Sequence, residues 1–440
     1  MTKIHSRFSQ WIIVLAILAL SLNGCGQFPA SGPNITDTPW IIEITATPAP
    51  SVTPPEPTEE TFPTPLPTSA VSPTPVPLNK RGVHLLLDDG RNTWPNYIRD
   101  EHIRAARQVV GEWGFVTQVI KSNDLDTEKW QHFMDMCAEV HLIPIIRFAT
   151  TFNHEINAWD APTGSNDVHY YVMGKRFGKF VAALRWPTNQ HYVIIGNEPN
   201  HGNEWGGAPD PNQYGHYLVD VADAIHERDP NAKVMNAGFD LFAPNSQGQP
   251  LADGFVYMDA ETFINEMVRQ NPDVLSHIDI WSSHAYPTGP FANSPGDQVR
   301  QPIDPAPGPN DPPAGTVKLG INSYEWELWK LSTYGVTNLP IMITETGWRH
   351  SDSVDPNSPD TGQNLPDAAT VAQYFDQAYY GPSDGSWTPW MDDPRIIAVT
   401  PFALDGSPDE WGHTNWLQID HDGTILGTYP MFDLLSSKAP

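Results

Sequence analysis

Residues 192–225, YVIIGNEPNHGNEWGGAPDPNQYGHYLVDVADAI, contain one strand pattern, one polar loop and one helix pattern. Residues 192–195 form a short apolar run without polar alternation, which is typical of a parallel strand buried on both faces. Asp210 and Pro211 have the side chains preferred at a helix N-cap and first turn, and apolar residues follow at helical spacing as far as Ile225. The stretch therefore predicts one parallel βα unit.

The same kind of apolar run occurs eight times between residues 80 and 400. The eight candidate strands are residues 83–87, 115–120, 143–148, 192–195, 234–237, 278–282, 341–344 and 396–399. Further helix patterns lie at residues 171–184, 261–269, 324–334 and 368–379, and another begins at Asp126 or Thr127 and carries Cys137 on its apolar face. We therefore expect the α/β class and a (β/α)8 barrel, also called a TIM barrel.

An open, doubly wound sheet is the main alternative fold. That fold usually has a Gly-rich phosphate-binding turn after its first strand, whereas here Leu87 is followed by Asp88-Asp89-Gly90-Arg91-Asn92. The missing turn favours the barrel, in which functional residues lie at the C-terminal ends of the strands.

The composition narrows the classes of partner and cofactor. The chain has 52 acidic and 24 basic residues, a formal net charge of −28, which excludes a partner with a polyanionic backbone such as nucleic acid. Its two cysteines, Cys25 and Cys137, support neither a disulfide framework nor a thiolate zinc site. His154-Glu155 lacks the second histidine of a zinc-protease motif, and no Gly-x-Ser-x-Gly follows a strand. We expect no metal and no cofactor.

Residues 1–25 have the order of an export signal. Lys3 and Arg7 precede an apolar run at residues 11–22 that is short for a membrane span. Leu22-Asn23-Gly24-Cys25 resembles the bacterial lipobox, which implies lipidation of Cys25; ordinary secretion and an uncleaved anchor are the alternatives. In each case the protein is exported, either to the outer face of the membrane as a lipoprotein or into the medium.

Residues 26–78 are rich in Pro, Thr and Ser and have little apolar periodicity. This composition predicts a disordered, extended linker between the leader and a folded domain at residues 79–440. We expect the membrane to contact the protein only through the N-terminal lipid, and we expect a monomer.

Two predicted strands end in carboxylates. The fourth run is followed by Gly196-Asn197-Glu198-Pro199-Asn200, and the seventh by Glu345-Thr346-Gly347-Trp348. Either residue alone is more simply explained as a solvated loop residue, but in a barrel both would face the same mouth. A pair of carboxyl groups at one site is what the cleavage of a glycosidic bond requires.

These motifs resemble those of the clan A glycoside hydrolases over most of residues 82–436. The resemblance implies that Glu198 is the general acid/base, that Glu345 is the nucleophile of a retaining double displacement, and that Asn197 binds a sugar hydroxyl. The sixth run ends in Ser282-Ser283-His284-Ala285-Tyr286, which resembles the His-x-Tyr often found there, and implies that Tyr286 donates to the nucleophile. A structural histidine and a core tyrosine remain the alternatives for His284 and Tyr286.

Further candidates for the substrate site have weaker support. Arg147 can orient a carboxylate at the mouth or serve as a structural ion-pair partner, and Asp88 can accept from a sugar hydroxyl or belong to an ordinary turn. Tryptophans that can stack on sugar rings or pack within loops are Trp205, Trp348, Trp411 and Trp416, and the sequence does not choose between the last two. The long polar segment 287–313 is expected to form one wall of the cleft.

The function that these residues predict is hydrolysis of an O-glycosidic bond in a polysaccharide or oligosaccharide, with a carbohydrate as the partner. The alternatives are an envelope-tethered barrel that binds carbohydrate without catalysis and a transglycosylase that uses the same residues. Neither the sugar nor the linkage follows from the motifs.

Overall fold

A computed structural model of the protein describes residues 79–88, 94–164, 169–298, 311–313, 315–353, 365–382 and 387–439. All of them lie in one compact unit, Thr64–Pro440. The leader with Cys25 and the Pro-rich segment up to residue 78 lie outside the described residues. Within those residues, every helix is too short or too polar to cross a lipid bilayer.

Eight parallel strands form the centre of the fold. They are β1 Gly82–Leu85, β2 Gly114–Lys121, β3 Leu142–Ala149, β4 His191–Ile195, β5 Ala232–Asn236, β6 Trp281–His284, β7 Ile341–Glu345 and β8 Ile396–Val399. Neighbours in sequence pair in parallel from β1 to β5 and from β6 to β8. Parallel bridges Met235–Ile280 and Arg81–Val399 join the two sheets and close the ring. The predicted (β/α)8 barrel is therefore confirmed, with its strands in sequence order.

Eight main helices alternate with the strands. They are α1 Asn96–Val110, α2 Thr127–Glu139, α3 Tyr171–Ala183, α4 Pro211–Arg228, α5 Ala260–Gln270, α6 Tyr324–Ser332, α7 Ala368–Tyr380 and α8 Pro430–Ser436. The predicted N-caps are present, because the Asp210 side chain accepts from Gln213 N at 3.0 Å and Asp126 accepts from Glu128 N at 2.9 Å. Sequence analysis did not locate α1 or α8.

Short strands and short helical turns lie in the loops between these main elements. The short strands are Phe152–Asn153 with Ala158–Trp159 and Leu417–Ile419 with Ile425–Thr428, and the short helical turns are Gly202–Glu204, Val274–Ser276, Thr288–Phe291, Pro295–Gln298 and Pro408–Trp411. The described parts of the predicted long loop 287–313 include two of these turns, whereas residues 299–310 lie outside the description.

Two apolar cores lie on either side of the strand ring. The larger one fills the space between strands and helices and includes the outward-facing Val83 and Leu85 of β1. A smaller cluster fills the barrel, with members Phe115, Ile143, Ile145, Tyr192, Ile194, Met235, Ile280, Met342 and Ala398. Side chains alternate along a strand, so further inward-facing residues follow this cluster toward the C-terminal ends of the strands. These residues, which line the mouth of the barrel, are polar.

Strand β7 departs from simple alternation. Met342 faces into the barrel, so the side chains of Thr344 and Glu345 would be expected to point in opposite directions. The register of β7 against β6 shifts between Ser283 and His284, and His284 pairs with Glu345 so that Thr344 has no partner of its own. A bulge of this kind re-aims a side chain, and it lets Glu345 face the mouth while Thr344 still bonds to Ser282 inside the barrel at 2.6 Å.

Candidate active site

Glu198 is held at the mouth by its backbone. Gly196 has φ +92° and Glu198 itself has φ +29°, a left-handed conformation that costs free energy for a residue with a side chain. The Glu198 amide donates to Gly238 O at 3.0 Å. Two residues later, the fully buried Asn200 donates to Asp240 O at 2.8 Å and accepts from Asp240 N at 3.1 Å. The ends of β4 and β5 are thereby fastened together around Glu198.

Two hydrogen-bond donors and a nearby histidine surround the carboxyl group of Glu345. Arg147 donates to its Oε1, the Tyr286 hydroxyl donates to its Oε2 at 3.0 Å, and His84 Nε2 lies 3.7 Å from Oε1. Burial alone would raise the pKa of this carboxyl, but His284, Arg147, His84 and the Tyr286 hydrogen bond together lower it to about 2. Glu345 is therefore an anion at every ordinary pH.

His284 lies between the two carboxyl groups. Its Nδ1 is 2.7 Å from Glu198 Oε1 and 3.7 Å from Glu345 Oε2. Burial lowers the pKa of this imidazole, but the charges of Glu345 and Glu198 raise it above its usual value. The ring fits only because residue 238 is glycine, since a Cβ there would come within 2.0 Å of His284 Cδ2.

The two carboxyl groups are close to each other. An oxygen of Glu198, an oxygen of Glu345 and a ring nitrogen of His284 all lie within 4.8 Å of one another. Three such groups could also hold a metal ion, yet both oxygens of Glu345 already accept from Arg147 and Tyr286. The expectation of no metal stays a prediction.

Arg147 links two of the predicted residues. Alternation along β3 places it above Ile143 and Ile145, which face into the barrel. Its Nη1 donates to Asn197 Oδ1 at 2.6 Å as well as to Glu345. Asn197 is therefore held beside Glu345, and Arg147 orients the carboxylate, one of the two roles that the sequence left open.

Three polar residues near Glu198 were not identified from the sequence. Glu204 follows on the turn Gly202–Glu204, where burial and the charge of Glu198 raise the pKa of its carboxyl, opposed by Arg147 and Asn197. Asp240 stands at the end of β5; burial and then Glu198 raise its pKa to about 6. His201 Nε2 lies 3.5 Å from Asp240 Oδ2. Glu204 and Asp240 both lie in loops that follow barrel strands. A search for carboxylates along these whole loops, and not only next to the strand ends, would have identified them.

His84 is the other residue that sequence analysis passed over, because it stands inside the first apolar run. The side chain is fully buried, faces inward between Val83 and Leu85, and packs on Phe402 at a centroid distance of 5.2 Å. Burial, followed by the charge of Arg147, lowers its pKa to about 3, although Glu345 opposes the shift. His84 is therefore neutral. A histidine in an otherwise apolar strand was the available signal.

The four candidate tryptophans differ in their exposure to solvent. Trp205, Trp348 and Trp416 are at most 3% exposed and pack on core aromatic residues, so they present no open face. Trp411 is partly exposed and packs on Phe402 at 4.9 Å, which in turn contacts His84. Of the pair that the sequence left open, Trp411 is the partly exposed one, and two ring contacts connect it through Phe402 to His84.

Asp88 is engaged in ion pairs. Only 2% of the residue is exposed, and its carboxylate accepts from Lys121 Nζ at 3.1 Å and from Lys129 Nζ. Burial opposes the ionised form, but the two lysines lower the pKa of Asp88 below its usual value. A sugar hydroxyl would have to compete with both lysines for this carboxylate.

Solved structures share this fold. No protein-family model matches the chain, and neither does any curated protein sequence. A glucosidase from Croceicoccus marinus is 12% identical and superposes with a TM-score of 0.50 over 83% of this chain and 68% of that chain. A family 39 glycoside hydrolase from Bacteroides cellulosilyticus is 16% identical, with a TM-score of 0.49 over 83% of this chain and 64% of its own length. A beta-1,3-glucanase of Cryptomeria japonica pollen is 15% identical, with a TM-score of 0.44 over 80% and 99%.

The glucosidase from Croceicoccus marinus, with a TM-score of 0.50, shares the fold of this chain. The resemblance predicted from Asn197-Glu198-Pro199 and Glu345 is therefore confirmed at the level of the fold. The chain spans less than two thirds of the length of the family 39 structure.

Proposed function

We propose that the protein is a retaining O-glycoside hydrolase of clan A, which cleaves a polysaccharide or oligosaccharide by double displacement. The observation that carries this proposal is the distance of less than 4.8 Å between oxygens of Glu198 and Glu345. Retaining enzymes place their carboxyl groups about 5–5.5 Å apart, whereas inverting enzymes leave about 6.5–9.5 Å for a water molecule.

The first chemical step follows from the different surroundings of the two groups. Glu345 is ionised, and its oxygen attacks the anomeric carbon while the bond from that carbon to the leaving oxygen breaks. Glu198 gives its proton to the leaving oxygen. In the second step, Glu198 takes a proton from water as the water oxygen attacks the anomeric carbon, and Glu345 leaves as a carboxylate.

His284 keeps a proton beside Glu198. The 2.7 Å contact with Glu198 and the raised pKa of His284 favour a protonated imidazole at this position. The rate should therefore fall on the alkaline side when His284 loses this proton. On the acid side, Glu345 would lose its charge only as the pH approaches 2.

We extend the proposal to the location of the protein. The resemblance of residues 22–25 to a lipobox supports export with a lipid on Cys25, so that the catalytic unit acts outside the cell on carbohydrate. Secretion without the lipid is the alternative.

A substrate screen with paired variants tests the function. The full chain is assayed with aryl glycosides and polysaccharides, beside Glu198→Gln and Glu345→Gln, and the anomer formed first is read by NMR. We expect Glu345→Gln to be inactive on every substrate. Glu198→Gln should keep activity only on glycosides with a good leaving group, and azide should restore its second step by forming a glycosyl azide.

Four outcomes would contradict the proposal. Release of the inverted anomer would exclude double displacement. Full activity of Glu345→Gln would remove this residue from the reaction, and binding of a polysaccharide without any turnover by the unaltered chain would favour a carbohydrate-binding barrel. Transfer to an added sugar in preference to water would identify a transglycosylase.

A further inference from the structure

Three aromatic rings at the mouth form a continuous surface, which we call the aromatic wall. Its members are Tyr286, Phe291 and Phe242. The rings of Tyr286 and Phe291 are 4.4 Å apart, and those of Phe291 and Phe242 are 5.8 Å apart. All three side chains are partly exposed, in contrast to the three buried tryptophans.

The aromatic wall reaches from the nucleophile to the neighbourhood of the acid/base. At one end, the Tyr286 hydroxyl donates to Glu345 Oε2 at 3.0 Å. At the other end, the Phe242 amide donates to Asp240 Oδ1 at 2.8 Å. Asp240 is close enough to Glu198 for its pKa to respond to the Glu198 charge. The wall therefore lines the β5–β6 side of the carboxylate pair, away from Trp411 and Phe402.

The loop that carries Phe291 is held in an unfavourable conformation. Phe291 has φ +69°, which costs free energy for a bulky residue. The buried Gln298 fixes the loop by accepting from Thr288 N at 3.1 Å, and Phe291 O accepts from Arg349 N at 3.1 Å. Phe291 is thereby kept at the mouth, where it contacts Tyr286 and Phe242.

Polar groups border the wall on the Glu198 side. Asp240 Oδ2 faces His201 Nε2 at 3.5 Å, beyond the length of a strong hydrogen bond, so both atoms can bond to a ligand. A ring with apolar C–H faces and hydroxyl groups at its edge matches this combination of flat aromatic surface and carboxylate. A pyranose unit has that chemistry.

We infer that the aromatic wall, with Asp240 and His201 at its edge, binds the sugar on the leaving side of the bond that is cleaved. The inference rests on the proposed function. Glu198 protonates the leaving oxygen, so the sugar attached to that oxygen must lie on the Glu198 side, where Asp240 and Phe242 are. The preferred substrates are then oligosaccharides or polysaccharides rather than glycosides with a small leaving group.

The experiment compares substrates with and without a leaving sugar. A glycosyl fluoride carries the same reacting sugar as the preferred oligosaccharide but releases only fluoride. Phe242→Ala and Phe291→Ala should each lower kcat/KM for the oligosaccharide by about 10-fold to 100-fold, the effect of withdrawing one buried aromatic face. Both should leave kcat/KM for the fluoride within about 2-fold of the unaltered protein, because that substrate has no leaving sugar to contact Phe242 or Phe291.

The matched control is Tyr97→Ala, which removes an aromatic ring that is 67% exposed on α1; it should change neither rate. If an alanine variant unfolds, Phe242→Leu and Phe291→Leu keep the apolar volume while removing the flat ring. Equal losses with both substrates would overturn the inference, as would unchanged rates with both. No turnover of either substrate by the unaltered protein would instead reject the proposed function.

Discussion

At the scale of single residues, His84 is an unusual neighbour for a carboxylate. Its imidazole is fully buried, and its Nε2, which faces Glu345, makes no hydrogen bond among the residues described. A buried polar group without a partner costs free energy and calls for an explanation. Because Nε2 lies 3.7 Å from Glu345 Oε1, a small movement during the reaction would bring the neutral ring within bonding distance of the nucleophile.

We therefore expect His84 to position Glu345. In His84→Leu, kcat/KM should fall about 10-fold, the effect of losing one hydrogen bond to a charged group. The acid limb of the pH–rate profile should also move to higher pH, because His84 helps to lower the pKa of Glu345. His84→Asn keeps a donor and should restore much of the rate. A pH–rate profile of both variants tests this. An unchanged acid limb in His84→Leu would show that the residue only fills space.

Sequence analysis identified the central residues of the site because each stands at a strand end in a short motif. Glu198, Glu345, His284, Tyr286 and Arg147 are brought together by the barrel. Those it missed have no such motif. Asp240 is placed by the buried Asn200 across two loops, and Phe291 by hydrogen bonds of a loop that folds back on the mouth.

At the scale of elements, the end of β5 determines the position of the β6 histidine. Gly238 accepts from the Glu198 amide through its carbonyl and leaves room for the His284 ring. A methyl group at residue 238 would lie 2.0 Å from that ring, a distance that no packed structure tolerates.

Gly238→Ala should therefore displace His284 or the end of β5 and lower kcat about 100-fold, the effect of misplacing a catalytic group by about 1 Å. The melting temperature should fall as well. The control is Gly296→Ala, where the new Cβ would meet only Ser294 Oγ at 4.0 Å, so rate and stability should be kept. Normal activity in Gly238→Ala would mean that His284 has no fixed role.

A second element-level feature is the buried carboxyl behind β6. Glu327 of α6 is fully buried and accepts from Trp281 Nε1 at 3.0 Å and from Ser283 Oγ. Burial raises its pKa to about 7, although these two hydrogen bonds oppose the shift. Glu327 thus ties helix α6 to the strand that ends in His284, and burial favours the protonated form of its carboxyl.

The stability of the protein should reflect this proton. The folded state keeps it up to about pH 7, whereas an unfolded chain loses it near pH 4.5. The stabilisation is therefore complete below pH 4.5 and is lost as the pH rises through 7, by roughly 3 kcal/mol in all. Glu327→Gln cannot titrate, so its melting temperature relative to the unaltered protein should be higher at pH 8 than at pH 4. An equal difference at both pH values would contradict the raised pKa.

The sequence predicted the bounds of an element well where that element has a clear apolar run or a clear N-cap. The strands are short apolar runs, and their observed bounds agree within a few residues because both faces are buried. Helix α1 lacks an N-cap side chain and has a Pro at its cap position, and α8 spans only seven residues. Helix α8 begins with Pro430, as α4 begins with Pro211, but neither α1 nor α8 has the Asp N-cap that precedes α2 and α4, so the sequence pattern did not distinguish them from loops.

At the scale of the whole molecule, the number of βα repeats predicts a barrel, but closure depends on contacts that no repeat encodes. The seam between β8 and β1 is made by the bridge from Arg81 to Val399. The buried Arg81 guanidinium also donates to Leu435 O at 2.6 Å, which fastens the start of β1 to the last helix. Such a contact joins residues more than 350 positions apart, and composition or spacing cannot reveal it.

The two cysteines should differ in their chemistry. Cys137 is fully buried on α2, and burial raises the pKa of its thiol, so it should resist acylation and oxidation. Cys25 follows an apolar run of the length of a signal-peptide h-region.

When the full chain is produced in a bacterium fed a labelled fatty acid, we expect label in the protein and activity in the membrane fraction. Cys25→Ala should lose both, whereas Cys137→Ala should keep both, because the lipobox contains Cys25 and Cys137 is buried. Label that survives in Cys25→Ala would place the lipid at another residue, and no label in the unaltered chain would mean that the protein carries no lipid.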